Sequence, residues 1–266
     1  MNLEIFKDFA IETAKSSGEI LMTYFNSKYA IKKKSSVDLV TKADIESENN
    51  IIDSIKKNFP EHGIIAEESN LINHNSEFKW IIDPLDGTTN FVHSLPIFAI
   101  SIALQYKNQT VLGVVYNPAY NKCFWAIKNH GAYENKTKIS VSKTDNLIDS
   151  LLVTGFPYNH NKSWDKSFEL FHEFYSKTQG IRRLGAASLD FCFVAMGRFE
   201  GFYEFNLKPW DVCAGDLICR EAGGKTSDWA GNEMPFSGSN IIASNNFIHK
   251  KILEVINQKK YDIILN

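Results

Sequence analysis

Disulfide patterns, zinc spacings, long apolar runs and an excess of charge of either sign are all missing from this 266-residue chain. Its four cysteines, Cys123, Cys192, Cys213 and Cys219, show no Cys-x-x-Cys spacing, and the seven histidines share no ligand spacing. Zinc is therefore not expected, and reduced thiols among apolar neighbours are. The longest apolar stretch, around Ile97–Leu104, falls far short of the roughly 20 residues that span a bilayer. Residues 1–25 carry Glu4, Lys7, Asp8, Glu12, Lys15 and Glu19 between their apolar positions, so no uninterrupted signal-peptide core is present. A formal net charge of −2, from 29 basic and 31 acidic residues, gives no footing for nucleic acid or an anionic membrane. The short basic run Lys32-Lys33-Lys34 reads as a solvated loop. No internal repeat or low-complexity segment is visible. What remains is a cytoplasmic globular protein whose 44% hydrophobic content lets it bury a substantial core.

Against these absences, Trp80–Asn90 stands out: Trp-Ile-Ile-Asp-Pro-Leu-Asp-Gly-Thr-Thr-Asn. The apolar run Trp80-Ile81-Ile82 ends in Asp83, and Pro84 interrupts regular pairing because it lacks an N–H and has a fixed φ. Asp86 follows three residues after the first acid, and Gly87-Thr88-Thr89-Asn90 can open a helix. Two carboxylates thus face one point, where a hard cation with oxygen ligands fits. Free N–H groups at a helix start face the same point and suit an anion such as phosphate. Cation and phosphate together point to metal-assisted phosphoryl chemistry.

Around this stretch the spacing predicts a helix over 2–26 with Asn2 capping it, and a second helix from Asp44 to Pro60. Gly63–Ala66 reads as a short strand with Glu67-Glu68 at its end. Alternations at 98–104, 111–116, 122–126 and 131–133 predict a large antiparallel sheet, closed by 139–141. The polar stretch 144–150 divides the chain into an α+β half, 1–145, and an α/β half, 146–266. In the second half, strands are expected at 151–154, 201–204 and 241–244. Helices are expected at 164–178, 188–197, 211–222 and 246–256, with Phe168, Phe171, Phe174 and Tyr175 turned inward. Three further acids sit at strand ends or helix starts: Glu67, Asp44 and Asp211. Taken alone, Asp44 and Asp211 read as N-caps worth about 1 kcal/mol each.

Gly63–Ser69, Trp80–Asn90 and Trp210–Gly215 together resemble the three signatures of the inositol monophosphatase family of Mg²⁺-dependent, lithium-sensitive phosphatases. Asp38–Asp44 looks like that family's N-terminal motif, and Gly185–Asp190 and Gly201–Glu204 look like its substrate-side segments. The resemblance implies a layered αβαβα sandwich of the inositol monophosphatase and fructose-1,6-bisphosphatase type, usually a homodimer. It implies two or three Mg²⁺ ions on Glu67, Asp83, Asp86, Asp211 and the main-chain carbonyl of Leu85, with Asp83 bridging. Thr88 and Asp44 would orient the attacking water, and Glu67 would also touch it. Gly87 and Thr88 would hold the phosphate, and Arg182, Ala187, Glu204 and Asp211 the substrate. Glu68 should point away, since adjacent residues on an extended chain face opposite sides.

The expected reaction is hydrolysis of a small sugar or polyol phosphate, with myo-inositol 1-phosphate the leading substrate. The 2′-phosphate of NADP, fructose 1,6-bisphosphate and 3′-phosphoadenosine 5′-phosphate are sister possibilities. Loops at 69–79, 158–163 and 204–208 set that choice and cannot be read from one sequence. A reading of another class is a non-enzymatic regulatory protein, as some bacterial members act in antitermination complexes.

Overall fold

Apolar residues recurring at three and four over the first two dozen positions make α1 (Leu3–Tyr24), started by Asn2, whose side chain accepts from Glu4 N–H at 3.2 Å. The computed structural model describes residues 2–25, 31–33, 39–69, 75–157 and 162–258. Asp38 of the N-terminal motif, residues 70–74 of the 69–79 loop and residues 158–161 of the 158–163 loop lie outside the described residues. A two-stranded ribbon, β1 (Ile31–Lys33) and β2 (Leu39–Thr41), leads into α2 (Lys42–Asn58). The helix begins two residues before Asp44, which is therefore a buried first-turn acid and not the N-cap.

Seven strands then form one sheet: β3 (Gly63–Ala66), β4 (Phe78–Asp86), β5 (Ala99–Tyr106), β6 (Gln109–Asn117), β7 (Lys122–Ile127), β8 (Ala132–Glu134) and β9 (Thr137–Ile139). Every pairing is antiparallel except that of β3 with β4, which is parallel. Short α3 (Thr88–Val92) follows β4. Between Ile139 and Leu151 the chain passes to a second, five-stranded sheet of order β11-β10-β12-β14-β13. Its strands are β10 (Leu151–Thr154), β11 (Gly180–Arg182), β12 (Gly201–Phe205), β13 (Lys225–Ser227) and β14 (Asn240–Ser244), and its helices α4 (Lys162–Tyr175), α5 (Ala187–Ala195), α6 (Pro209–Glu221) and α7 (His249–Ile256). Parallel pairing of β10 with β11 and β12 gives way to antiparallel pairing around β14.

Strand alternation sorts the core into layers. Trp80 and Ile82 of β4 face α1 and α2, in one cluster with Leu21, Ile51 and Ile55. Each such side chain contributes roughly 2 kcal/mol on burial. Ile81 faces the other way, into a central cluster with Leu189, Phe191, Leu217 and Ile218 of α5 and α6. Both helices also contact the second sheet, whose outer face packs Leu152 and Ile242 against Leu170, Phe174 and Ile252 of α4 and α7. The result is a layered αβαβα arrangement, as the sequence led one to expect. Close backbone approach makes the central contact possible: a Cβ on Gly113 of β6 would lie 2.6 Å from the Ala214 carbonyl of α6.

Two local expectations are corrected. On α4 the inward stripe is Ser167, Leu170 and Phe174, leaving Phe168 and Tyr175 43% and 57% exposed. Phe168 instead stacks on Phe156 at 4.4 Å. The three-residue strands β11 and β13 were not expected, because they carry too little pattern of their own and exist through pairing with β10 and β14.

Candidate active site

The strand alternation that buries Ile81 and packs the half-buried Ile65 against the same central cluster sends the next same-face residues, Glu67 and Asp83, toward α6. Parallel register sets Ala66 beside Ile82, so Glu67 and Asp83 come level at the strand ends. Pro84 does interrupt the ladder: pairing with β5 slips between Asp83 and Asp86. The irregularity keeps both acids on one side. Asp83 Oδ1 accepts from Leu85 N–H at 2.9 Å, an Asx turn that fixes the bend. Ser47 of α2 donates to the Pro84 carbonyl at 3.0 Å, so the bend is also held from behind.

Asp86 reaches across to the second half. It accepts from Ala187 N–H at 3.2 Å, Ser188 N–H at 2.8 Å and Ser188 Oγ at 2.5 Å, at the start of α5. A carboxylate at a helix N-terminus satisfies donors that have no intrahelical partner. Gly87 adopts φ of +90°, and a Cβ there would lie 2.9 Å from the Ile97 carbonyl. Only glycine meets both demands at low cost. Thr88 opens α3, and its hydroxyl lies 3.3 Å from Asp44 Oδ1 and 3.1 Å from the Leu85 carbonyl. Asp44 and Thr88 are thus brought together from α2 and α3.

From the far side, Ser101, directly opposite Asp83 in the β4–β5 ladder, donates to the Trp210 carbonyl at 3.0 Å and seats the first turn of α6. Asp211 is the third helical residue, not the N-cap; its Oδ2 accepts from Lys208 N–H at 2.7 Å. Pro209 occupies the first turn, where a missing N–H costs nothing, and this moves the helix start two residues upstream of Asp211.

These groups line one cavity of about 400 Å³: Glu67, Asp83, Leu85, Asp86, Gly87, Thr88, Ala187, Glu204 and Asp211 all border it. Glu68 does not, and its N–H is held by Glu48 Oε2 at 2.8 Å. Arg182 does not either; it is exposed on edge strand β11, with Nη1 3.2 Å from the Ile181 carbonyl. Arg183, one residue on, lines the cavity in its place. Sequence reasoning also passed over Ser188, which holds Asp86, and Asn90, whose carboxamide donates to the Ile97 and Leu184 carbonyls at 2.8 and 2.7 Å. Gly155 was missed as well: a Cβ there would fall 2.0 Å from Glu204 Oε1. Adjacent Arg182 and Arg183 could be told apart only by the phase of a three-residue strand, and Gly155 only by what faces it.

Electrostatically the cavity is overloaded with acid. Burial first, and then Glu67, Asp86 and Asp211, push the Asp83 carboxyl well above the usual carboxylate range. Burial likewise raises Asp211, reinforced by Asp86 and Glu67. It raises Asp86 too, against the Ser188 and Ala187 donors and Arg183. Glu204 is pushed up to about 8 by burial, with Arg183 pulling the other way.

Comparison with known proteins places this geometry. The family model described as the inositol monophosphatase family matches residues 2–263. The chain belongs to the inositol monophosphatase family. It is 42% identical to the chloroplastic phosphatase IMPL1 of Arabidopsis thaliana over 250 residues, covering 91% of this chain and 67% of that one. It is 41% identical to the Nus factor SuhB of Haemophilus influenzae over 253 residues, covering 94% of each. Among solved structures, the extragenic suppressor protein suhB from Bartonella henselae aligns with a TM-score of 0.91 at 36% identity, over 95% of this chain and 98% of that one. An IMPase/NADP phosphatase complexed with Mg²⁺ and phosphate aligns with a TM-score of 0.86 at 25% identity, over 97% of both chains.

The family is one of phosphatases, and the donor set of this chain fits the divalent cation of that chemistry. Glu67, Asp83, Asp86 and Asp211 offer carboxylate oxygens and Leu85 a carbonyl, all hard donors. Asp83 is 2% exposed and repelled by three neighbouring acids, a charge burden that a divalent cation relieves. Among the described residues no group of three His, Cys, Asp or Glu side chains already stands close enough to hold an ion, so the carboxylates would draw together around one. Mg²⁺ commonly keeps waters and takes oxygens from the substrate.

Proposed function

We propose that this chain hydrolyses a small sugar or polyol phosphate, with myo-inositol 1-phosphate the leading substrate, and that Mg²⁺ is its cofactor. The observation that carries the reading is the mutual repulsion of Glu67, Asp83, Asp86 and Asp211 around one cavity beside Thr88. Those four carboxylates, with the Leu85 carbonyl, would hold the cations. Bound Mg²⁺ supplies Lewis acidity and charge neutralisation for phosphoryl transfer.

The chain's own groups do the positioning. Both near neighbours of the Thr88 hydroxyl, Asp44 and the Leu85 carbonyl, are acceptors, so its proton is committed to them. Its lone pairs are left to accept a hydrogen bond from a water and aim that water at phosphorus. Gly87 and Thr88 present N–H groups from the start of α3, and nearby Glu67 can take a further hydrogen bond from the same water. Glu204 and Ala187 face the leaving group. Near neutrality Glu204 carries its proton for much of the time, so it can donate to a hydroxyl as well as accept from one.

Arg183 favours a second reading. Its guanidinium lines the cavity and has no hydrogen-bonded partner among the described residues, which suits a leaving group with a second anion, such as a nucleotide or bisphosphate. The SuhB relatives are named as Nus factors, which keeps the regulatory reading in play. Phosphate release with Mg²⁺ from myo-inositol 1-phosphate, 2′-AMP and fructose 1,6-bisphosphate tests all three. The highest kcat/KM on the first supports the polyol reading, and a preference for the others that Arg183→Ala removes supports the second. Release from none of a broad monoester panel overturns both.

A further inference from the structure

A second, smaller cavity of about 170 Å³ opens beyond Asp211 on the same helix, between the β5–β6 hairpin, the middle of α6 and the 233–236 loop. Nothing in the phosphatase chemistry uses it. At its floor lies Gln105, which shares the sheet face of Ser101 and Ala103 and is only 5% exposed. Its carboxamide has no hydrogen-bonded partner among the described residues. Its polar atoms are reached from the cavity, and an open donor and acceptor side by side there suit a ligand that offers the complementary edge.

The walls say what kind. Lys128 donates to Gln109 Oε1 at 2.9 Å, and Arg220 places Nε and Nη2 on Asp216 Oδ2 at 3.1 and 2.8 Å. Asp216 is further held by Thr226 Oγ1 at 2.6 Å. The cations are thus already engaged, and with Glu233 the lining carries as many acids as bases. That disfavours a phosphate or a carboxylate. At the mouth Phe236 is 46% exposed, with Met234 beside it, giving a surface on which a flat ring can stack. The volume is below the ~300–1,000 Å³ of drug-sized pockets, which limits the occupant to about one ring system.

We propose that this cavity binds a flat, uncharged molecule with an amide-type edge, a nucleobase or a primary carboxamide, paired in two-point fashion with Gln105. Glutamine reads the adjacent acceptor and donor of adenine in this bidentate way elsewhere in nature. Phe236 covers the ring face.

Ligand-observed saturation-transfer NMR on the full chain, with Mg²⁺ and inorganic phosphate present to occupy the main cavity, tests this. Adenine, nicotinamide and myo-inositol are the probes. Transfer to adenine or nicotinamide but not to myo-inositol is expected, and the two planar probes distinguish base from carboxamide. Gln105→Leu should weaken that binding at least tenfold with phosphatase activity unchanged. The exposed Phe236→Ala, which does not threaten folding, should weaken it severalfold. No transfer to either planar probe, or transfer that survives both substitutions, overturns the proposal.

Discussion

The two walls of the main cavity are built on opposite plans. On the wall made by β4, α3 and the start of α5, nearly every polar group is already spent on the protein: Asp83 on Leu85 N–H, Asp86 on Ala187 and Ser188, Thr88 on Asp44 and Leu85. Across from it, Arg183 has no hydrogen-bonded partner among the described residues, and Glu204 faces the bare Cα of Gly155. A committed wall holds atoms where a reaction of fixed geometry needs them. An uncommitted wall leaves donors and acceptors for whatever enters. Reaction type therefore belongs to the first wall and substrate choice to the second, so changes on the two should separate kcat effects from KM effects.

The largest effect tests the committed wall. Asp83→Asn or Asp211→Asn should lower kcat/KM roughly 10³-fold, about 4 kcal/mol of transition-state stabilisation. The same substitutions should raise the metal-free melting temperature at pH 8, because they remove a buried, repelled charge. Activity within tenfold of the parent, by phosphate release, would break the division of labour.

Next comes the pH dependence of the metal-free protein. Asp83, Asp211 and Glu204 have folded-state values above their unfolded ones, Glu204 near 8. The folded state therefore holds more protons, and the stability these groups lend at acid pH is lost as pH rises from about 4 toward 8. Mg²⁺ should return up to about 2.7 kcal/mol at a hundredfold excess over Kd, and more of it at pH 8 than at pH 5. Differential scanning calorimetry with and without EDTA reads this; a Mg²⁺ shift that is larger at pH 5 contradicts the charge ledger of the cavity.

Smaller still, Ser188→Ala removes one of three donors to Asp86 and should cost 10- to 100-fold in Mg²⁺ affinity or activity. Isothermal titration with Mg²⁺ checks it. The smallest change tests the uncommitted wall. Gly155→Ala must push Glu204 aside, so KM should rise about tenfold with kcat and Mg²⁺ affinity held. A kcat loss in place of the KM rise would mean that the second wall also positions the reacting atoms.

How much of this was legible beforehand follows from how local each feature is. Trp80–Asn90 carried its own reading, because strand, break, two acids and helix start all lie within eleven residues. The layered fold and the family followed from motifs spread along the chain, since the elements between them are long enough to show a period. Asp211 was placed by resemblance, since nothing local says that the first turn of α6 lies opposite β4. Ser188, Asn90, Gly155 and the choice of Arg183 over Arg182 escaped, because each depends on what lies across from it, from 49 to 102 residues away, or on the phase of a three-residue strand. Pairing across the chain, which no window of sequence contains, decided them.

Asn90 has a consequence for how the molecule opens. Its single buried carboxamide grips Ile97, seven residues on, with one hydrogen and Leu184, 94 residues on, with the other, so a long-range loop is closed through the same group that fixes the local one. The turn before α5 cannot separate from α3 unless the Asn90–Leu184 bond lets go, which leaves the buried Leu184 side of that carboxamide unpaired. Amide hydrogens in the 88–97 segment and in the 184–190 segment should then exchange with solvent deuterium at a common opening free energy, as one cooperative unit that straddles the two sheets.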